Sequence, residues 1–529
     1  MENNAVKPSD NCIVAFLDIG TNSIRLLLVK IAHNHTYTIL TDQKEVVRLG
    51  EGEFPDHLLQ PEAMQRAVLV CRKFAETARS RGAQEIVAVA TSATREAGNR
   101  AEFIGLLKKE AGIDVRTISG MEEARLIYLG VVSGLYLNRQ TALFVDIGGG
   151  STELIVGNQR QYDYLDSQQL GAIRLASMFM LPGEDGPVDA IRYEVLQNYV
   201  RNTIVRSVQH ISSHPVDLVV GSSGTIENLA EIIARVKRGR KIERDDVFTY
   251  AELNAIIQYL RSLSMAERRE VPGINPERAD IIVPGAAIID VIMQETGIQT
   301  LRISDRGLRD GLLMDYLAKS DSGGMGTLAV RERSVLQLGR ACHFDEGHAL
   351  QVSRLAIQLF NSAAESGLHE MGRREREELE YAALLHDIGS FLSYQNHHAH
   401  TYYLISHADL LGFDQEEIQV MSNTAYYHRK GLPSKKRAEF SEMSSEAQKA
   451  VKSLSMLLRL AELLDRGHSG AVRRVCFHRD QRKSVVLEIE ADQDIQLELW
   501  GLEEQKEAFA KTFGASLEIV VARPAPTGV

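Results

Sequence analysis

Two short segments of this chain combine an aspartate with glycines and hydroxyl side chains in the same order. They read DIGTNS at 18–23 and DIGGGS at 146–151, and each lies between two apolar runs. The pattern predicts a strand, a tight turn and a second strand. Such a turn presents backbone N–H groups to an anion and holds a carboxylate beside them for a cation. The repetition therefore predicts two similar halves that face one another across a phosphate group.

A third turn of small residues, GSSGT at 221–225, follows an apolar run and precedes a helical pattern. Helix N-termini and glycine-rich turns both favour anions, so this turn joins the two copies of the repeat. The candidate phosphate-binding residues in the three turns are Gly20, Thr21, Asn22, Ser23, Gly148, Gly149, Gly150, Ser151, Ser222, Ser223, Gly224 and Thr225. Asp18 and Asp146, at matching strand ends, are candidates for holding the cation. The alternative for both is an aspartate that only caps its turn.

The elements that must position these turns form an α/β pattern. From about residue 13 to 317, short apolar strands alternate with amphipathic helical stretches, and beyond a Gly- and Ser-containing segment the pattern is almost wholly helical. A last segment resembles strand, strand, helix and strand. The predicted organisation is a disordered tail at 1–11, lobe I at 12–130, lobe II at 131–318, a linker at 319–326, a helical domain at 327–474 and a small α+β domain at 475–529.

Composition narrows the class of protein. The formal net charge of −11 argues against a general nucleic-acid binder. No apolar run approaches the roughly 20 residues that cross a bilayer, and the four cysteines form no CxxC pair. We therefore expect a cytoplasmic protein that binds neither nucleic acid nor membrane. Two basic segments, 235–244 and 429–437, could steer a polyanion or could be solvated loops.

Six motifs, one of which contains the third turn, occur in an order typical of one family. They are VATSATR at 89–95, ISGMEEAR at 118–125, LGAIRL at 170–175, VVGSSGTIE at 219–227, VPGAA at 283–287 and ISDRGLRDG at 303–311. With the repeated turn, they resemble the exopolyphosphatase / guanosine-pentaphosphate phosphatase family. The resemblance implies two actin-like (ribonuclease H-like) lobes, followed by an all-α HD-type domain and a small C-terminal α+β segment.

The same resemblance assigns roles to individual side chains. It implies Mg²⁺ on Asp18 and Asp146, and it makes Glu123 the carboxylate that activates water. Glu122 is adjacent, and the sequence alone leaves a swap of the two open. Acidic residues in a first helical turn are also common simply because they complement the helix dipole. Glu153 is expected to position the water or the metal. Arg95 is expected to contact phosphate.

The helical domain carries the residues of an HD-type metal site in the expected order: His348, His386, Asp387 and Asp465. Imidazole and carboxylate ligands suit a hydrolytic divalent ion such as Mn²⁺, Mg²⁺ or iron. Further histidines in this region could supply a second metal or orient the first ligands. A second hydrolase centre and a retained, structural ligand set both remain open.

The predicted function is a Mg²⁺-dependent exopolyphosphatase that releases orthophosphate from the ends of inorganic polyphosphate. The alternative is a guanosine-pentaphosphate 5′-phosphatase that uses the same site, with the HD domain as an accessory or second phosphohydrolase. Two further hypotheses are a regulatory protein that binds its nucleotide without turnover, and an HD site that is the main phosphohydrolase. The resemblance also implies a homodimer.

Overall fold

The computed structural model describes residues 12–32, 36–54, 56–137, 140–180, 183–243, 246–320, 330–408, 410, 413–429, 431–479 and 484–522. The chain divides into two compact units, Met1–Thr327 and Leu328–Val529. The predicted tail at 1–11 and residues 321–326 of the predicted linker lie outside the described residues. No described helix is both long enough and apolar enough to cross a membrane.

The first half of the first unit is a five-stranded sheet with helices. The strands are β1 Cys12–Ile19, β2 Ser23–Ile31, β3 Tyr37–Val46, β4 Glu85–Ala90 and β5 Val115–Thr117. The helices are α1 Pro61–Ser80, α2 Ser92–Glu96, α3 Arg100–Leu106 and α4 Gly120–Val132, with a π-helical turn at Leu107–Ala111. The strand order is β3-β2-β1-β4-β5. Strands β1 to β3 are antiparallel neighbours, and β4 and β5 add in parallel.

The second half repeats this plan on a six-stranded sheet. Its strands are β6 Ala142–Ile147, β7 Thr152–Gly157, β8 Tyr162–Gln168, β9 Leu218–Ser222, β10 Val247–Thr249 and β11 Thr300–Ile303. Its helices are α5 Ala172–Phe179, α6 Ala190–Ser212, α7 Ser223–Arg238, α8 Tyr250–Ser262, α9 Met265–Arg269, α10 Ile282–Thr296 and α11 Leu308–Ser320, with a 3-10 turn at Pro276–Arg278. The order β10-β11-β9-β6-β7-β8 again places an antiparallel trio, β6 to β8, beside parallel neighbours.

Helix α11 packs on α4 and on the first sheet, although the predicted lobe boundaries place it in lobe II. Two glycines permit a close crossing of α4 and α11. A Cβ on Gly311 would lie 1.8 Å from the carbonyl oxygen of Leu126, and a Cβ on Gly130 would lie 2.0 Å from that of Gly307. Because backbone cannot yield at such distances, the crossing requires glycine at both positions. The crossing fixes α4, which carries the candidate base, against the first sheet.

The second unit is mainly helical. It contains α12 Val330–Ala341, α13 Glu346–Glu365, α14 Arg373–Leu385, α15 His397–His407, α16 Gln415–Tyr426, α17 Ala438–Ser441 and α18 Ser445–Leu463, with a 3-10 turn at Ile388–Phe391. The chain then forms β12 Val472–Arg479, β13 Val485–Ala491, α19 Gln496–Glu503, α20 Lys506–Phe513 and β14 Leu517–Ala522. The sheet order is β12-β13-β14. Two short helices replace the single predicted one. Val352 of α13, Leu454 of α18 and Phe477 of β12 belong to one apolar core, so the last segment packs as part of this unit.

Candidate active site

The two repeated turns occupy equivalent places in the two sheets, at the tips of the hairpins β1–β2 and β6–β7. Asp18 pairs with Arg25 across the first hairpin, and Asp146 pairs with Glu153 at the same register of the second. Backbone N–H groups close each turn, because Gly20 donates to the carbonyl of Ser23 and Gly148 to that of Ser151. The repeat is therefore structural as well as sequential, but the residue opposite each aspartate differs in charge.

The turns approach one another so closely that the second must be built from glycine. A Cβ on Gly149 would lie 3.0 Å from the Cβ of Thr21. A Cβ on Gly150 would lie 2.8 Å from the hydroxyl oxygen of Thr21 and 2.6 Å from that of Ser92. The sequence difference between TNS and GGS therefore has a steric cause, since only one of two facing turns can carry side chains here.

A cleft with about 710 Å³ of empty space, part of it open to solvent, lies at these turns. Most of the predicted site residues line it: Asp18, Gly20, Thr21, Asn22, Ser23, Glu123, Asp146, Gly148, Gly149, Gly150, Ser151 and Ser223. Six predicted residues of the first unit are not among its lining residues: Arg95, Glu122, Glu153, Ser222, Gly224 and Thr225. Among these six, Arg95 and Glu153 are held next to lining carboxylates, as described below.

The two aspartates have oxygens that suit a cation. Oδ1 of Asp18 is buried and has no hydrogen-bond partner among the described residues. Oδ2 of Asp146 accepts a hydrogen bond from the hydroxyl of Ser222 at 2.6 Å. Burial raises the pKa of Asp146 to about 6 and also raises the pKa of Asp18, for which nearby Arg25 acts in the opposite direction. Carboxylate oxygens are the ligands that a hard ion such as Mg²⁺ prefers, so the donor set fits it.

The two adjacent glutamates of helix α4 differ in their surroundings: Glu123 lines the cleft and Glu122 does not. Glu123 is 7% exposed and points into the cleft, where its Oε2 accepts a bond from Nη1 of Arg95 at 2.8 Å. Burial raises the pKa of Glu123 to about 7, against the opposing effect of Arg95. Glu122 instead pairs with Arg125, which lowers its pKa. Of the two, only Glu123 faces the candidate cation site.

Glu153 is almost completely buried beside this group. Its Oε1 accepts a hydrogen bond from the hydroxyl of Ser167 at 2.8 Å. Burial raises its pKa well above the usual range, and the neighbouring charges of Glu123 and Asp146 raise it further. Ionising Glu123, Asp146 and Glu153 together without a cation is unfavourable, because like charges at short range repel one another in a low-dielectric site.

The third turn, residues 221–225, has a strained backbone conformation at one residue. Ser223, at the start of α7, has φ of 75°, a left-handed conformation that costs roughly 1–3 kcal/mol for a residue other than glycine. A Cβ on the next residue, Gly224, would lie 2.3 Å from Nη2 of Arg278. The turn thus places Ser223 at the cleft, and the absence of a side chain at Gly224 leaves room for the guanidinium of Arg278, which comes from the 3-10 turn.

Several basic residues of the site were not predicted from the sequence as phosphate ligands. Arg25, Arg278 and Arg306 line the cleft. Burial and the neighbouring positive charges lower the pKa of Lys44 to about 8 and that of Arg278 to about 10. Arg306 lies within the motif at 303–311 and Arg25 lies two residues after the first repeated turn, whereas Arg278 and Lys44 lie near none of these motifs. The positive charge of Arg25 contributes to both lowered pKa values, and such a concentration of cations attracts a polyanion.

The basic segment at 235–244 has local partners. In the described part of this segment, Arg235 pairs with Glu231, Arg238 with Glu252, and Arg240 with Asp246. These pairs neutralise much of the positive charge. They favour the interpretation of a solvated helix end and loop over that of a steering patch.

Three of the four predicted HD-type residues come together in the second unit. Donor atoms of His348, His386 and Asp387 lie within 4.8 Å of one another. Asp465 contacts the Nδ1 of His348 at 2.8 Å. A second group, His397 and His428, joins the same Asp387. These two histidines were not in the predicted ligand set, although their region is rich in histidine.

Comparison with known proteins agrees with these features. The model of the Ppx/GppA phosphatase family matches residues 27–320, more than half of the chain, and that of Ppx/GppA phosphatase domain III matches residues 330–506. An exopolyphosphatase from Cytophaga hutchinsonii is 28% identical over 59% of this chain and 100% of its own, with a TM-score of 0.55. An exopolyphosphatase-like protein is 27% identical over 58% of this chain and 98% of its own, with a TM-score of 0.53. The predicted family and the predicted two-lobed, actin-like fold are confirmed.

Proposed function

Because this chain belongs to the Ppx/GppA phosphatase family and is a phosphoanhydride hydrolase, we propose that it is a Mg²⁺-dependent exopolyphosphatase. It would release orthophosphate from the ends of inorganic polyphosphate in the cleft at the two repeated turns. The observation that carries the proposal is the convergence of two glycine-rich turns, two aspartates and the buried Glu123 on one cleft. Terminal phosphoanhydride hydrolysis needs those parts: a cradle for oxygens, a cation and an oriented water.

The protein groups divide the reaction between them. Backbone N–H groups and hydroxyls of the two turns would hold the terminal phosphoryl group, with Arg25 and Arg278 opposing its charge. Glu123 would take the proton of the attacking water, and a pKa of about 7 suits a general base at neutral pH. Arg95, bonded to Glu123, would fix the orientation of that carboxylate. Mg²⁺ held by Asp18 and Asp146 would supply charge stabilisation for the phosphoryl oxygens.

Polyphosphate is favoured as the substrate by the chemistry of the cleft lining. The lining is mainly backbone, hydroxyl, carboxylate and guanidinium groups, with few apolar side chains. The solved relative from Cytophaga hutchinsonii is itself described as an exopolyphosphatase. The lining suits a chain of phosphates better than it suits an aromatic base. The cytoplasmic location and the homodimer predicted from the sequence remain part of the proposal.

The proposal is tested by orthophosphate release from the purified full chain. Long-chain polyphosphate and guanosine pentaphosphate are compared at equal concentrations of phosphate ends, with Mg²⁺ and then Mn²⁺. We expect faster turnover of polyphosphate in Mg²⁺. Faster turnover of the nucleotide would instead identify a guanosine-pentaphosphate phosphatase.

Matched variants assign the activity to the cleft. Glu123→Gln should lower kcat by at least about 100-fold, the usual contribution of a general base, whereas Glu122→Gln should leave it nearly unchanged. Asp387→Asn, in the second unit, should retain most of the activity. Full activity in Glu123→Gln would refute its catalytic role, and loss of activity in Asp387→Asn would make the second unit the main hydrolase.

A further inference from the structure

Each of the two repeated turns has carbonyl groups that a neighbouring segment holds by hydrogen bonds. In the first hairpin, the carbonyl of Thr21 accepts a bond from the N–H of Gly50 at 3.0 Å. The carbonyl of Asn22 accepts two bonds, from the N–H groups of Val47 and Arg48 at 3.0 and 2.9 Å. The backbone that follows β3 therefore fixes the two central peptide groups of this turn.

In the second hairpin, the same task falls to the start of α5. The N–H of Ala172 donates to the carbonyl of Gly148 at 3.0 Å, and the N–H of Ile173 donates to that of Gly149 at 2.9 Å. Gly149 is the counterpart of Thr21 in the repeat, so one central peptide group is again fixed by backbone.

The other central peptide group of the second turn is held by a side chain. Gly150 is the counterpart of Asn22, and its carbonyl accepts a bond from Nε of Arg174 at 2.8 Å. Arg174 belongs to the motif at 170–175, whose role the cleft lining does not explain, because this arginine is not among the lining residues. A guanidinium therefore stands where the first hairpin uses two backbone N–H groups.

Holding the carbonyl groups also sets the direction of the N–H groups. In a trans peptide the C=O and the following N–H point in opposite directions. The bonds to α5 and to Arg174 therefore direct the N–H groups of Gly149, Gly150 and Ser151 away from α5. In the described part of the chain these three groups donate to no backbone carbonyl, and all three residues line the cleft. They are thus placed to donate to phosphoryl oxygens.

The guanidinium of Arg174 is itself held by the first half of the unit. The side chain is 5% exposed, and its Nη2 donates to Oε2 of Glu96 at 2.7 Å. Oε1 of Glu96 accepts a bond from the hydroxyl of Ser92 at 2.9 Å. The Cζ of Arg174 lies 4.1 Å from the centroid of the Phe54 ring. A charge-assisted bond and a ring contact therefore fix the group that fixes Gly150.

A second carboxyl group depends on the charge of Arg174. Glu53 is fully buried, and neither of its carboxyl oxygens has a hydrogen-bond partner among the described residues. Burial raises the pKa of Glu53 to about 7, and the positive charge of Arg174 opposes that rise. Loss of Arg174 therefore affects stability as well as the turn, and a test of its role must separate the two effects.

We propose that Arg174 is a positioning residue for phosphate release, which holds the peptide group between Gly150 and Ser151 so that its N–H faces the phosphoryl group. Glu96 supports this role by fixing the guanidinium. The inference rests on the proposed function of the cleft. Because Arg174 does not line the cleft, it acts through the turn and not by contact with the substrate.

Arg174→Met tests the role, since methionine fills much of the same volume but donates no hydrogen bond. The freed peptide group can rotate, and a misplacement of about 1 Å at a reacting group costs about 100-fold in rate. We expect kcat to fall about 100-fold, with KM changed by less than about threefold, because the lost contact acts mainly in the transition state. The acid limb of the pH profile should stay within about 0.3 units, since Arg95 and not Arg174 opposes the rise in the pKa of Glu123.

Orthophosphate binding gives a second measurement, which needs no turnover. Calorimetric titration in Mg²⁺ should show a dissociation constant about tenfold higher in Arg174→Met, the equivalent of one weakened contact to phosphate. Rates are compared on whichever substrate the wild type cleaves faster. A wild type that prefers guanosine pentaphosphate would thus refute the proposed substrate and leave the test of Arg174 intact.

Arg331, on α12 in the second unit, provides a matched control. Its side chain is 8% exposed, its Nη1 pairs with Oε1 of Glu417 at 2.8 Å, and its Cζ lies 4.8 Å from the centroid of the Phe413 ring. Arg331→Met should lower Tm, because it also leaves a buried carboxylate without its partner. It should keep kcat within about twofold of the wild type, since the loss is not at the turn. Circular dichroism checks that each variant is folded.

Two milder variants decide the matter even if Arg174→Met does not fold. Arg174→Lys keeps the charge and one donor but not the fork that reaches both acceptors, so it should lower kcat by only about tenfold. Glu96→Gln should also lower kcat by about tenfold, and by less than about twofold when added to Arg174→Lys, because the two residues act on one peptide group.

Three results would overturn the proposal. The first is a kcat within twofold of the wild type in Arg174→Met or in Arg174→Lys. The second is an equal loss of kcat in Arg331→Met, which would make the effect one of general stability. The third is an acid limb that moves as it does in Arg95→Met, which would show that Arg174 acts on the base and not on the turn.

Discussion

Replacing Arg95 by methionine should move the pH dependence of phosphate release. Nη1 of Arg95 donates to Oε2 of Glu123 at 2.8 Å, and this contact opposes the burial that raises the pKa of Glu123 to about 7. Methionine keeps much of the side-chain length but removes the charge. The carboxyl group should then hold its proton to higher pH, and the enzyme should need a more alkaline solution to generate its base.

The size of the shift follows from the environment of the pair. At about 4 Å between charge centres and an effective dielectric constant of about 20, the attraction is roughly 4 kcal/mol. The side chain of Arg95 is 20% exposed, so solvent reduces that figure. Removing an opposite charge at this range raises a carboxyl pKa by about 1–3 units. We expect the acid limb of the profile to move up by about 1–3 pH units relative to that of the wild type under the same conditions.

The assay is the pH profile of kcat/KM for polyphosphate at saturating Mg²⁺, which reports the ionisations of the free enzyme. Arg125→Met is the matched control, since Arg125 lies on the same helix as Glu123 but pairs with Glu122 and Asp315. Its acid limb should move by less than about 0.3 pH units, because that pair is exposed to screening. An acid limb that stays in place in Arg95→Met, or that moves to lower pH, would refute the assignment of Glu123 as the base held by Arg95.

Two further predictions concern packing and ionisation. Gly150→Ala should reduce phosphate release and lower Tm, because its Cβ would lie 2.6 Å from the hydroxyl oxygen of Ser92. The control is Gly105→Ala, at a helix position with nothing within 4 Å of the new Cβ, which should raise stability by roughly 0.5–1 kcal/mol. Equal Tm values for the two variants would contradict the steric argument. In metal-free protein, the raised pKa of Glu123 means that the folded state binds its proton more tightly than the unfolded state, so its contribution to stability is present below pH 4.5 and is lost as pH rises towards about 7. Glu123→Gln should therefore gain stability relative to the wild type between pH 5 and 8, by up to about 3 kcal/mol in urea unfolding; a constant difference over that range would show that the carboxyl pKa is not raised.

The sequence was most informative where the chemistry is local. The two turns, their aspartates and the hairpins around them are contiguous, so composition and order alone predicted them, and the structure places them together. Glu122 and Glu123 could not be separated on composition, since both lie in the first turn of α4. Helix periodicity did contain a signal: Glu123 shares a face with Ile127, which also lines the cleft, whereas Glu122 shares one with Arg125.

Long-range features escaped prediction for a physical reason. Arg278 reaches the cleft from a 3-10 turn, and Lys44 reaches its neighbourhood from β3, so only the packed fold brings them near the repeat. Helix α11 packs on the first sheet because two glycines let it cross α4 closely. Lobe boundaries assigned in sequence order cannot predict such a contact. His397 and His428 likewise come from different parts of the second unit, with no regular spacing to mark them as partners.

The difference between the two hairpins explains why a duplicated turn does not give a duplicated site. In the first hairpin the residue opposite the aspartate is Arg25, which opposes the effect of burial on the pKa of Asp18. In the second it is Glu153, whose negative charge lies beside Asp146 and whose pKa is raised by that neighbour. In the first hairpin the positive charge of Arg25 therefore opposes the negative charge of Asp18. In the second hairpin Asp146 and Glu153 are both acidic, and protons or a cation can balance their charge. On the proposed assignment, cation binding and ionisation of the acidic cluster would be coupled, because an ion held by Asp18 and Asp146 would lower the cost of ionising Glu123 and Glu153. Glu123 would then be fully available as the proposed base once that ion is bound.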